Sequence, residues 1–327
     1  MQKAKKRFFS VTAVLLAVLV ALTALLPTAG AAQAATMKSK YTGKSYTHNA
    51  RFDKLEVLNG VDISAWQEKV DWKKIKNDGI DFAILRAGYG KKASQEDAYF
   101  ATNFKNATAA GLPVGIYWYS YAKSVADVEK EARLCLQVLG SRTLDLPVFY
   151  DLEESSQLNK GKAFCTQLVE HFCSIIAAAG HTPGLYMSRS PLLDYIEQET
   201  RGRYALWVAE YDSKTCKYDG DYLMWQYADN GKVAGVNGNT DMDFLYGNKN
   251  SLPGSATLLK SKTYTGKAIT PAPTVTGENG QPLKADKDYT LTYINNKAVG
   301  MATITAQGLG TYTGRRWYYR FKILPAK

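Results

Sequence analysis

The chain has 327 residues, of which 46% are apolar and 22% charged, and its net charge is +11. That length suggests about two domains or one large one. Beyond the first 35 residues no stretch is apolar enough to span a bilayer, and no recognition motif ties the basic charge to nucleic acid.

The first 34 residues read as an export signal. Lys3, Lys5, Lys6 and Arg7 form a basic start, an apolar run follows over 8–26, Pro27 and Gly30 break it, and Ala32-Gln33-Ala34 offers a cleavage site. The expected product is exported, secreted or wall-associated, without stable membrane insertion after cleavage. Residues 35–57 are polar and read as a linker or ordered lead-in.

From Gly60 onward strand and helix patterns alternate. Strands are expected over 60–67, 81–87, 113–122, 146–153, 183–188, 205–211, 222–228 and 242–246. The helix capped by Ser124 runs to Gly140 with Val125, Val128, Ala132, Cys135 and Leu139 on one face, and the helix over 162–180 buries Cys165, Leu168, Phe172 and Ile176. Helices separate the first five strands, and the later connections are short. Alternation of this kind implies a parallel α/β sheet. Eight strands in so few residues imply an irregular (β/α) barrel spanning 58–250, with its chemistry at the carboxyl ends of the strands.

After a short Leu-Pro-Gly linker, residues 257–327 change character. Expected strands at 264–269, 274–275, 289–293, 302–307 and 317–323 are broken by glycines, the pattern of a small all-β module. Charge divides along the same boundary. Residues 36–256 carry 26 Lys/Arg and 27 Asp/Glu, whereas 257–327 carry 11 and 3. A basic exported module suits an anionic surface such as a cell-wall polymer.

The cysteines, Cys135, Cys165, Cys173 and Cys216, are not spaced as a zinc site. Cys165 and Cys173 lie about 12 Å apart along one helix, too far to bond each other. Cys135 is placed to reach either, so buried free thiols and disulfides both stay open. None of the three histidines is assigned to metal or catalysis.

Chemistry concentrates in Asp151-Leu152-Glu153, at the end of the apolar run Leu146-Pro147-Val148-Phe149-Tyr150. Acids at i and i+2 on a strand share a face. Their side chains then stand roughly 6–7 Å apart, a range in which acid pairs cleave glycosidic bonds. One carboxyl must hold a proton while the other is charged, and two close acids arrange this because ionising one disfavours ionising the other. Glu153 is the expected general acid, and Asp151 the nucleophile or the group holding a substrate acetamide. Asp62 is an acid in an otherwise buried strand, so it needs a partner, such as Arg86, or a function. Asp241 sits beside the last strand, which barrel closure brings next to the first. Rings with polar tips suit sugar faces, and Tyr119 is one of several aromatics on strand-like segments. Glu154, by alternation, should face away and either be solvated or cap the following loop.

Gly60-Val61-Asp62-Ile63-Ser64-Ala65-Trp66-Gln67, Val70-Asp71-Trp72, Tyr150-Asp151-Leu152-Glu153, Leu185-Tyr186-Met187-Ser188, Leu206-Trp207-Val208-Ala209-Glu210-Tyr211 and Trp225-Gln226-Tyr227 together resemble glycoside hydrolase family 25, the Chalaropsis-type muramidases. The resemblance covers about 58–247. It implies a (β/α) barrel that cleaves the β-1,4 bond between N-acetylmuramic acid and N-acetylglucosamine in peptidoglycan glycan strands, with anomeric retention and no metal or organic cofactor. By motif matching it gives Glu153 the acid role and Asp151 the assisting role, lines the centre with Asp62 and Asp241, and makes Tyr186, Trp207 and Gln226 substrate contacts. One departure stands out. Many members carry Lys-x-Ser/Thr-Glu-Gly after the second strand, and here the segment is Arg86-Ala87-Gly88-Tyr89-Gly90. Residues 264–314 resemble immunoglobulin-like modules of bacterial surface proteins, through Tyr264-Thr265-Gly266-Lys267, Asp288-Tyr289-Thr290-Leu291-Thr292-Tyr293 and Gly300-Met301-Ala302-Thr303-Ile304-Thr305, a resemblance that implies a β-sandwich domain. Two other readings compete: a non-catalytic glycan-binding surface protein on the same barrel, and another barrel glycosidase such as a chitinase, whose long Asp-x-x-Asp-x-Asp-x-Glu pattern is absent.

Overall fold

The computed structural model describes residues 35–249, 252–254, 256–277 and 280–326. The export signal read over 1–34 lies outside them, as do parts of the linker. Among the described residues no helix is long and apolar enough to cross a membrane.

Eight strands close into a barrel in the order β10-β3-β4-β5-β6-β7-β8-β9. They are β3 (Glu56–Ile63), β4 (Phe82–Tyr89), β5 (Val114–Tyr119), β6 (Val148–Asp151), β7 (Pro183–Ser188), β8 (Ala205–Ala209), β9 (Met224–Gly231) and β10 (Thr240–Gly247). Period-two alternation sorts each strand into two layers. Outward residues such as Val61, Leu85, Trp118, Tyr150, Met187, Val208 and Phe244 join the core beneath the helices, while Leu58, Phe82, Phe149, Met224 and Leu245 fill the barrel. Gly60 is required there, because a Cβ on it would lie 2.1 Å from the Phe82 ring.

The sheet departs from the expected parallel arrangement at one strand. β3 to β9 are parallel to their neighbours, but β10 is antiparallel to both β9 and β3. The segment between β9 and β10 is a short hairpin, and a parallel return needs a crossover of a dozen or more residues. The reversal matters for the site. β10 presents its beginning at the mouth, where Asp241 pairs in register with Asp62 at the end of β3.

Helices cover the first part of the barrel: α1 (Trp72–Asn77), α2 (Phe100–Ala109), α3 (Val125–Leu139), α4 (Ser155–Leu158), α5 (Lys162–Ala178), α6 (Arg189–Tyr195) and α7 (Gln198–Arg203). Ser124 caps α3 by accepting from the Asp127 amide, and α3 and α5 bury the expected faces. No helix stands between β8, β9 and β10. Their outer face is covered instead by a hairpin, β1 (Thr36–Lys38) and β2 (Ser45–Thr47), and the turn after it. Tyr46 lies 4.5 Å from Tyr227, and Phe52 stacks on Tyr246 at 3.9 Å. All four cysteines are free and buried.

The C-terminal strands β11 (Thr257–Leu258), β12 (Lys262–Thr263), β13 (Tyr289–Ile294), β14 (Gly300–Gly308) and β15 (Arg316–Leu324) form one sheet. The last three occur where expected. Residues 264–269 and 274–275 form no strands. Gly266, Pro271 and Pro273 interrupt that stretch, and proline cannot donate to a ladder. The described residues therefore give a single sheet rather than a sandwich, with Val275, Ala302, Ile304, Phe321 and Ile323 buried on it. The sheet is docked on the barrel. Ile294 joins the helix-layer core, Asn295 exchanges two hydrogen bonds with Ser174 on α5, and Arg320 donates to Thr182 Oγ1 at 3.2 Å.

Candidate active site

A cleft of about 370 Å³ opens at the carboxyl ends of β3 to β8. Each of the eight residues singled out from sequence lines it: Asp62, Tyr119, Asp151, Glu153, Tyr186, Trp207, Gln226 and Asp241. Arg86 is the one basic residue in its wall.

Asp151 is the last residue of β6, points inward by alternation, and is 4% exposed. Glu153 lies past the strand end, on the coil that leads to α4. Strand alternation therefore does not aim it; the turn into α4 does, and it leaves Glu153 exposed at the mouth. Glu154 is corrected from the sequence reading. It makes no side-chain cap to α4 and instead accepts a 2.8 Å hydrogen bond from the Tyr119 hydroxyl.

The acids differ in support. Asp62 accepts from Gln226 Nε2 at 2.7 Å, and Gln226 Oε1 accepts from the hydroxyls of Tyr186 (2.7 Å) and Tyr211. Asp62 has no pairing with Arg86, whose Nε donates instead to buried Asp97 at 2.7 Å. Asp97 also accepts from the Ala65 amide, which fixes the turn after β3. That turn carries Trp66, 83% exposed at the lip of the cleft. Asp151 Oδ1 is buried with no hydrogen-bond donor.

Sequence reasoning missed Asp243, and a signal for it existed: it stands two residues from Asp241 on one strand, hence on the same face. It is wholly buried below Asp62. Its Oδ1 accepts from Trp207 Nε1 at 2.7 Å, and Oδ2 has no hydrogen-bond partner among the described residues. The Asp243 charge adds to burial in raising the proton affinity of Asp62. Trp207, expected as a substrate contact, is thus also the donor that holds Asp243. Tyr117 and Arg86 were likewise not assigned to the site.

Burial is the largest cause of the altered acidities. It pushes Asp62, Asp151 and Asp243 well above the usual carboxylate range. For Asp151 the Glu153 charge adds to this, and Arg86 opposes it. Glu153 is raised mainly by burial, with a further push from the Glu154 charge. Asp241 is pushed up to about 6 by burial, Asp229 and Glu153. A cleft so crowded with acids binds protons well above the ordinary carboxylate range and so keeps a proton donor near neutral pH.

The family model for glycosyl hydrolases family 25 matches residues 61–236, more than half of the chain. The chain belongs to glycosyl hydrolase family 25. It is accordingly a glycoside hydrolase. An uncharacterised protein of Escherichia coli O157:H7, YegX, is 31% identical over 205 residues, covering 60% of this chain and 72% of that one. The autolytic lysozyme of Clostridium acetobutylicum is 26% identical over 186 residues, covering 57% of this chain and 55% of that protein. Among solved structures, the CTP1L endolysin superposes with a TM-score of 0.52 at 27% identity, over 57% of this chain and 66% of its own.

Proposed function

We propose that this family 25 glycoside hydrolase is an exported muramidase that cleaves the β-1,4 bond after N-acetylmuramic acid in peptidoglycan, with retention. One observation supports the reading most: Asp151 holds a buried, donor-free carboxyl oxygen beside Glu153 in an open cleft. An unpaired buried acceptor is costly, and a substrate acetamide N–H is the donor it lacks.

Glu153 faces the mouth and gives its proton to the leaving oxygen. Asp151 orients the acetamide for attack on the anomeric carbon, or attacks it directly, and water deprotonated by Glu153 then displaces that group from the same face, which restores the Glu153 proton and gives retention. Positive charge growing on the sugar is met by the acid-lined floor, with Asp62 and Asp241 nearest the mouth. Tyr119, Tyr186 and Gln226 contact the sugars. The C-terminal sheet is a wall-binding module. Its exposed lysines, among them Lys262, Lys284 and Lys287, face anionic wall polymers.

Digestion of purified peptidoglycan tests the reading. Wild type should clear the suspension and leave muramic acid at the new reducing ends. Glu153→Gln should still bind but not clear. New reducing ends of N-acetylglucosamine would refute the bond assignment, and full clearing by Glu153→Gln would refute the acid. Binding without clearing by the wild type would instead favour the non-catalytic surface-protein reading.

A further inference from the structure

A run of rings leaves the cleft along the ends of β4 and β5. Tyr119 lines the acid-bearing cavity, whereas Tyr121 and Tyr89 lie beyond it. The ring centroids of Tyr119 and Tyr121 are 5.1 Å apart, and those of Tyr121 and Tyr89 are 6.3 Å apart. Tyr121 is 43% exposed, unusual for a large ring held this firmly. The Tyr119 and Tyr89 side chains are held, and Tyr121 is fixed at its backbone with its ring packed between them. Tyr119 is bonded to Glu154, and the Tyr121 amide donates to buried Glu131 at 2.8 Å. Tyr89 lies against the Arg86 guanidinium at 5.6 Å, and Arg86 is itself fixed by Asp97. Behind Tyr89, the Gly90 amide donates to the Tyr119 carbonyl at 2.9 Å. Tyr89 also falls in the segment Arg86-Ala87-Gly88-Tyr89-Gly90, to which the catalytic chemistry assigns no role for the tyrosine.

We propose that Tyr119, Tyr121 and Tyr89 form a stacking track for sugars beyond the cleavage point, so that the enzyme selects long glycan strands over short fragments. The inference rests on the peptidoglycan reading above. A polymer threaded through the cleft must continue along its edge, and this edge offers rigid ring faces with hydroxyl tips. Those features match the C–H faces and hydroxyls of sugars. Because the rings are already ordered, stacking on them loses little conformational entropy.

The test compares Tyr89→Ala/Tyr121→Ala with wild type on two substrates: long uncrosslinked glycan strands and the shortest peptidoglycan fragment that wild type cleaves. The kcat/KM for long strands should fall about tenfold relative to the short fragment, as expected from loss of two ring contacts of roughly 0.5–1 kcal/mol each. Tyr89→Phe/Tyr121→Phe, which keeps the rings, should recover most of the loss. An equal fall on both substrates, or no fall on either, overturns the track. The same tyrosine changes placed in the Glu153→Gln background give strand affinity without turnover. Tyrosine-dependent affinity in this background, with no cleavage by the wild type, would sink the catalytic reading alone, whereas cleavage by the wild type with tyrosine-independent affinity would sink the track alone.

Discussion

Glu131 offers the sharpest energetic test of how the site is held. It lies on α3, outside the barrel, and is completely buried. Oε2 accepts from Ser120 Oγ at 2.8 Å and from the Tyr150 hydroxyl at 3.3 Å, and Oε1 accepts from the Tyr121 amide at 2.8 Å. Gln157 on α4 completes the cluster by donating to Ser120 Oγ at 2.7 Å. The cluster ties together the loop after Tyr119, the residue before Asp151, and the helix after Glu153. Burial, with a smaller push from Asp127, raises Glu131 from 4.5 to about 7 against the pull of its three donors. The folded value is above the unfolded one. Its contribution to stability is therefore complete below pH about 4.5 and is lost as pH rises through about 7. The shift of about 2.5 units corresponds to about 3 kcal/mol. Glu131→Gln cannot ionise, so it lacks this slope, while it sacrifices part of the hydrogen-bond set at about 1–3 kcal/mol. Urea denaturation followed by tryptophan fluorescence should find the variant less stable than wild type near pH 4.5. That deficit should shrink by about 3 kcal/mol near pH 8 and vanish or change sign. A deficit of the same size at both pH values would refute the assignment of a buried, pH-dependent charge behind the acid pair.

Trp207→Phe removes the indole donor to Asp243 and should cost about 1–3 kcal/mol. Losing a donor raises Asp243 further, so the cost should be larger near pH 8 than near pH 5 by denaturation; a larger cost at the acid end would contradict the hydrogen bond's role. Replacing Lys262, Lys284 and Lys287 with Glu should weaken cosedimentation with intact walls at low salt, with clearing of solubilised fragments unchanged. Unaltered cosedimentation would remove the electrostatic anchoring. Point changes are preferable to deletion here, since Ile294 and Asn295 support α5 and their loss would disturb the barrel itself.

Much of the site was legible because acids in apolar strands are anomalous. Asp62 and Asp151 each interrupt a run that otherwise belongs indoors, and desolvation makes such an interruption expensive unless it has a purpose. Helix faces and caps were legible for the same local reason: the pattern over 124–140 contains its own register. What depended on partners distant in sequence was not legible. The antiparallel course of β10 follows from a hairpin length whose consequence appears only when the barrel closes. Asp243 stayed hidden although its spacing from Asp241 repeats the logic applied to Asp151 and Glu153. Residues 35–57 looked merely polar because the aromatic surface they cover, Trp225, Tyr227, Phe244 and Tyr246, lies far along the chain. In the C-terminal sheet, glycine spacing marked breaks correctly but could not say which intervening segments find a ladder partner.

The proton distribution in the cleft follows from counting charges against available cations. Five carboxyls, from Asp62, Asp151, Glu153, Asp241 and Asp243, converge, and the one guanidinium in the wall is already paired with Asp97. Full ionisation would set five negative charges in a space with little solvent, so the deepest groups must retain or share protons first. Asp62 and Asp243 are the deepest of the five, and burial pushes both well above the usual carboxylate range, so protons are retained at the floor first. Asp151 and Glu153 face the same constraint one layer higher, and ionisation of either strengthens the other's hold on its proton. On the proposed mechanism this is the useful state. The upper pair supplies one proton and one charge, while the floor contributes fixed negative potential that grows in value as the sugar becomes cationic. Substituting the buried member of either layer should therefore alter the proton affinity of the other, even without contact between the two layers.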